Sequence, residues 1–126
     1  MYYPRNCTTQ EIQDNRFEAV RNLAEKYSAT VVLKGAGSLI CKDDDIYINT
    51  TGNQGMAVAG QGDVLSGIVG AFLAQGLDTL SASRLAVYVH GLAGDNIVKK
   101  LGGYVGVLPS RVAEEVCVVL NETGSV

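Results

Sequence analysis

Residues 49–67 hold the side chains best suited to chemistry. Gly52, Gly55, Gly60 and Gly62 punctuate a loop of small and polar residues, and an apolar run with helical spacing begins just after Asp63. Val64, Leu65, Ile68, Val69, Phe72 and Leu73 form that run, with Gly67 and Gly70 between them. The pattern predicts a glycine-rich loop that opens a helix, with Asp63 in its first turn. Converging N–H groups and the helix dipole make such a place an anion site, and Gly60, Gln61 and Gly62 are its candidate lining. A carboxylate would repel the anion, so Asp63 needs another task. Taking the proton of a hydroxyl that attacks phosphorus is the economical one. The plainer alternative is a tight turn with Asp63 as a helix-start residue. Two common phosphate motifs are excluded, since Ile68 stands where a P-loop needs lysine and Leu65 where a dinucleotide fingerprint needs its third glycine.

The remaining elements must position this loop. Residues 8–27 read as an amphipathic helix, with Thr8 and Glu11 at capping-box spacing and Ile12, Phe17, Val20, Leu23, Ala24 and Tyr27 as its apolar stripe. Arg16, Glu18, Arg21, Glu25 and Lys26 read as its solvated face. The β-branched run 30–34 predicts a buried strand wanting neighbours on both sides. Residues 39–41 and 46–48 predict a hairpin around Asp43, Asp44 and Asp45, a wet turn rather than a metal cluster. A helix after Asp63 should stop at Gly76. Another should start at Asp78 or Thr79 and end at Gly102 and Gly103, with Leu85, Ala86, Val89, Leu92, Ala93, Ile97 and Leu101 inward. His90, the single histidine, reads as a packing residue on that helix, and Asp95 as helical surface. Ser110 is a plausible cap for a last helix bearing Val112, Val116, Val119 and Leu120, before a frayed tail from Asn121.

Composition narrows the classes. The 126 residues bound the chain to one domain, and a net charge of −3 without a basic run argues against nucleic acid or an anionic membrane. Neither a spanning stretch nor a signal-peptide core is visible. Cys7, Cys41 and Cys117 are far apart and lack metal-ligand spacing, which fits a reducing, cytoplasmic compartment. The order of elements gives an α/β class, with residues 30–48 at one side of a sheet and the helices after Asp63, Thr79 and Pro109 packed against its faces. Three strands are few for four helices, so the chain reads as part of a larger sheet.

Five motifs in one order carry a resemblance. Lys34, Gly35, Ala36, Gly37 and Ser38 come first, then Asn49, Thr50, Thr51, Gly52 and Asn53, then Gly55, Met56 and Ala57. Gly60, Gln61, Gly62, Asp63, Val64, Leu65, Ser66 and Gly67 follow, and then His90, Gly91, Leu92, Ala93, Gly94 and Asp95. Together they resemble the ADP-dependent NAD(P)H-hydrate dehydratases of the ribokinase-like superfamily. The resemblance implies an α/β/α sandwich of which residues 1–126 form the C-terminal half, the nucleotide-binding part. It also implies a repair reaction: hydrated NADH or NADPH is dehydrated while ADP is consumed to AMP and phosphate. Lys34, Gly35, Ala36, Gly37, Ser38 and Gly62 would bind ADP or ATP, with Mg2+ accompanying. Asp63 would face the hydrated cofactor as substrate-binding residue and catalytic base. A homo-oligomer is expected, since family members are often tetrameric. Ala59 and Gln61 depart from the family's usual glycine and threonine, and no His-Pro-x-Glu segment stands among residues 1–6. The alternatives are a ribokinase-like kinase of a vitamin or sugar, and a non-catalytic remnant that binds nucleotide.

Overall fold

The computed structural model describes residues 9–35 and 37–123, with side chains from Asn15 to Glu122 and residue 36 again excepted. The expectations for Cys7, Thr8 and Ala36, for residues 1–6 and 124–126, and for the side chains of Glu11 and Ile12 therefore lie outside the described residues. Helix α1 (Thr9–Tyr27) leads into strand β1 (Val31–Leu33) and the hairpin β2 (Leu39–Lys42) and β3 (Asp45–Ile48). A short 3₁₀ turn (Gln54–Met56) precedes helices α2 (Gln61–Ala74), α3 (Thr79–Leu101) and α4 (Pro109–Thr123).

Strand register explains the layering. Val32 lies opposite Ile40 and Ile40 opposite Tyr47, while Val31 pairs with Cys41 and Cys41 with Ile46, all antiparallel. Because side chains alternate across a strand, Val32, Ile40 and Tyr47 face the helical core with α3. Val31, Leu33, Leu39, Cys41 and Ile46 face Phe17, Val20 and Ala24 of α1. The sheet is thus sandwiched between α1 and α3. The hairpin tip holds Asp43, Asp44 and Asp45 exposed, with Asp43 at φ 55°. A left-handed φ suits a short polar residue in a tight turn.

Several expectations need correction. Strand β1 is half-buried and lies at one edge of the order β1-β2-β3, so its outer side carries no strand among the described residues. Helices α2 and α4 pack mainly on α3, and α3 makes the most extensive contact of the three with the sheet. The wide apolar stripe of α3 is what allows this: Ala82, Ala86, Val89, Ala93 and Ile97 are all buried. Leu23, Tyr27, Leu73 and Leu101 lie toward solvent, since each falls at the margin of its stripe. Arg16 is buried, not solvated.

Helix ends follow local chemistry. Asp78 caps α3 by accepting from Ser81 N at 2.8 Å, and that bond holds its carboxyl below the usual range. Gly102 closes the same helix at φ 76°. Pro109, not Ser110, opens α4: its missing N–H costs nothing at the first helical position. Lys100 of α3 donates to both carboxylate oxygens of buried Glu115 at 2.6 and 2.8 Å, fastening α3 to α4.

Ile40, 2% exposed, joins the sheet to the helical core. Ile40→Ala should cost about 2–5 kcal/mol in urea denaturation. Val105→Ser, at a position 93% exposed, should stay within about 0.5 kcal/mol.

Candidate functional site

Helix α2 begins two residues before Asp63, which makes Gln61, Gly62 and Asp63 its first three residues. Gly60 precedes them at φ 96° and supplies no side-chain cap. A Cβ on Gly60 would also press on Pro109 Cγ at 3.0 Å, so glycine is required twice over. With no cap, the N–H groups of Gly62 and Asp63 lack intrahelical acceptors and remain available to a ligand.

Lys34 completes this end. It follows β1 on the same side of the strand as Val32, which turns its side chain toward α2. Its ammonium lies so close over Gly62 that an added Cβ would overlap Nζ. Among the described residues Lys34 has no carboxylate partner; the recorded ion pair is Lys100 with Glu115. An open cleft of about 410 Å³ runs alongside, lined by Val32, Lys34, Gly62, Leu65, Ser66 and Ser83 among others. The cleft combines one cation, uncapped amides and an apolar wall. Asp63 is exposed in the same helical turn and has no hydrogen-bond partner among the described residues.

Of the described residues in the predicted loop 34–38, Lys34 is the one seen against α2, at Gly62. Gly35 and Gly37 have φ values of 152° and 66° and form the bend between β1 and β2. Ser38 donates to Gly35 O at 3.3 Å. Arg16, which the charge pattern placed in solvent, donates to Gly37 O at 3.1 Å and would touch a Cβ on Gly35. Nothing in local periodicity marks it, because the loop it holds comes about twenty residues later.

Two further positions carry more than the sequence suggested. Asp95 is not bare helical surface: its carboxylate accepts from Gly52 N at 3.1 Å and from Asn53 Nδ2 at 2.9 Å. Asp95 is therefore occupied where Asp63 is free. Gln61, expected to line the anion site, has its side chain turned inward and is 5% exposed. It donates to Val107 O at 3.1 Å and pairs with His90 Nε2 at 3.2 Å. His90 itself is held below its ordinary value, first by burial and then by the Lys34 charge. Burial pushes the Cys41 thiol up, the direction of an unreactive cysteine. Among the described residues no three His, Cys, Asp or Glu side chains form a metal cage, and no helix is long and apolar enough to cross a membrane.

The His90 shift has a definite sign. The unfolded chain, with histidine near 6.5, binds more protons than the folded one just below that pH. Stability should therefore be full above about pH 6.5 and fall as pH drops toward the lower folded value. Between about pH 7.5 and about pH 5.5, the urea midpoint of the native chain should fall further than that of His90→Gln.

Comparison with known proteins identifies the family and the fold. The pattern of the family described as NAD(P)H-hydrate dehydratase matches residues 4–117. The ADP-dependent (S)-NAD(P)H-hydrate dehydratase of Neisseria meningitidis is 42% identical over 107 residues, covering 84% of this chain and 36% of that protein. A bifunctional NAD(P)H-hydrate repair enzyme of Coxiella burnetii is 42% identical over 113 residues, 88% of this chain and 23% of that protein. The Bacillus subtilis ADP/ATP-dependent NAD(P)H-hydrate dehydratase, crystallised with ATP and Mg2+, superposes with a TM-score of 0.79 at 28% identity. It covers 90% of this chain, which spans 41% of it. A ribokinase-like superfamily protein of Enterococcus faecalis gives a TM-score of 0.72 at 36% identity, over 81% of this chain and 35% of that one. The chain thus spans well under half the length of these relatives. Its architecture is ribokinase-like α/β, and by the match over residues 4–117 the chain belongs to the NAD(P)H-hydrate dehydratase family.

Proposed function

We propose that residues 1–126 are the nucleotide-binding, base-carrying part of a ribokinase-like domain that uses ADP to dehydrate hydrated NADH or NADPH. The observation that carries this reading is the Lys34 ammonium set over Gly62 at an uncapped helix start, with Asp63 free in the same turn. In this reading the phosphates of ADP lie on the N–H groups of Gly62 and Asp63 and beside Lys34, which offsets their charge. Gly60 and Gln61 shape the turn, and Lys34, Gly35, Ala36, Gly37 and Ser38 form the nucleotide loop. The names of the Neisseria and Bacillus relatives support ADP or ATP as the nucleotide.

Hydroxide is a poor leaving group, so the hydrated ring hydroxyl must first be activated. Asp63 takes its proton as the oxygen attacks the β-phosphorus of ADP, and the bond to the AMP oxygen breaks. The ring nitrogen lone pair then expels phosphate from the ring carbon. Loss of a proton from the neighbouring carbon restores the dihydronicotinamide. Water in the substrate thus ends as part of the phosphate. No three His, Cys, Asp or Glu side chains gather into a metal cage among the described residues, and Mg2+ would accompany the nucleotide on its phosphate oxygens, offsetting their charge. A vitamin or sugar kinase could use the same turn, but the family match favours dehydration. The outer edge of β1, unpaired among the described residues, supports an associating protein, a homo-oligomer in this reading, and the separated cysteines support a cytoplasmic one.

Calorimetric ADP titration and turnover of hydrated NADH, in the complete protein, test the roles. Asp63→Asn should lower turnover by about 10²–10⁴-fold and leave ADP affinity nearly unchanged. Gly62→Val should abolish ADP binding, because its side chain needs the volume that Lys34 occupies. Full turnover by Asp63→Asn would refute the assignment of the base. Hydrated NADH left unconverted while a vitamin or sugar is phosphorylated would move the protein to the kinase reading.

A further inference from the structure

Gln61 joins three parts of the molecule through one buried amide. The carbonyl of Val107, in the connection between α3 and α4, can only accept, so Gln61 must turn Nε2 toward it. Oε1 is then left facing His90 of α3, and it too can only accept. The proton between them therefore belongs to His90 Nε2. Donation runs one way: from His90 to Gln61, and from Gln61 to Val107.

This relay bears on the first turn of α2, which has little else to hold it. Gly60 offers no side chain, and the backbone bonds there are long, Gln61 N to Val58 O at 3.4 Å and Val64 N to Gly60 O at 3.2 Å. Glycine at 60 and at 62 also leaves the turn two residues with maximal conformational freedom. Without a tether the direction of the Gly62 and Asp63 N–H groups would be poorly fixed. Their alignment with the Lys34 ammonium would suffer equally.

We propose that His90 and Gln61 are positioning residues for the phosphate end of the site, acting through the first turn of α2 rather than touching the ligand. His90 is a hydrogen-bond donor in this role, and its Nε2 carries the proton. The proposal rests on the reading of that turn as the place where phosphate binds.

Because His90 is the only histidine in the chain, its ring nitrogens can be assigned without ambiguity. Nitrogen–proton correlation spectra near neutral pH should show the Nε2–H tautomer; the Nδ1–H form would overturn the proposal. Amide exchange at Val64 and Leu65 should quicken about tenfold in His90→Leu and in Gln61→Leu, the scale of one net hydrogen bond. ADP affinity should fall by about the same factor in both, compared at equal folded fraction. His90→Gln, whose amide can still donate to Gln61, should restore affinity to within about twofold. A histidine that merely fills the core would show no such rescue, because leucine fills it as well as glutamine. Lys34→Met should weaken ADP binding without changing exchange at Val64 and Leu65, separating charge from alignment. Should the complete protein bind no ADP, the phosphate reading fails alone, and tautomer and exchange still decide whether the relay holds the turn. If His90→Leu does not fold, Gln61→Leu and the tautomer carry the decision. Native exchange and native ADP affinity in Gln61→Leu would refute the proposal.

Discussion

The close approach of the loop 49–57 to α3 is the contact on which the rest depends. A Cβ on Gly91 would overlap Thr51, and one on Gly94 would overlap Met56, so the helix surface there must be bare backbone. Thr51 uses that proximity to donate to Tyr88 O at 2.9 Å, and Asn49 reaches Val87 O. Asp95, one turn beyond Gly91, closes the clamp on Gly52 and Asn53. A loop rich in glycine would otherwise be free to wander. Pinned at both ends of this helical turn, it delivers the chain to Gly60 in a fixed place.

Helix α3 can do this because it is the hub of the packing. Its apolar stripe contacts α2, α4 and the sheet, and its small residues receive the loop. The same helix carries His90, which reaches Gln61. Anchoring of the loop and of the helix start is thus routed through one rigid element, while the cation comes from the sheet. Lys34 arrives at the end of β1, whose register on β2 sets the face its side chain takes. Sheet and helices meet at Gly62, where only a residue without a side chain leaves room for the ammonium.

Charge in this region is arranged with economy. Asp95 is engaged by two donors and Glu115 by Lys100, whereas Asp63 and Lys34 are left without partners among the described residues. Asp63 and Lys34 are both exposed, so water can solvate them and a ligand can reach them without first breaking an ion pair. That contrast separates the two aspartates more clearly than their motifs do.

Much of this was legible in the chain. Helical and alternating periodicities located every described helix and strand to within a few residues, since burial of an apolar stripe is a local pattern. The glycine-rich turn at Gly60 and the helix that opens with Asp63 in its first turn were legible, because positive φ favours glycine and an apolar stripe marks the helix. What the sequence could not determine were the partners across space. Arg16 under Gly37, Asp95 on Gly52 and Gln61 between His90 and Val107 join residues twenty or more positions apart, where no period connects them. The same limit hid the edge position of β1 and the packing of α2 and α4 on α3. Amino-acid order decides which faces are apolar and which turns need glycine; only the tertiary structure decides which polar groups are thereby brought within hydrogen-bonding distance.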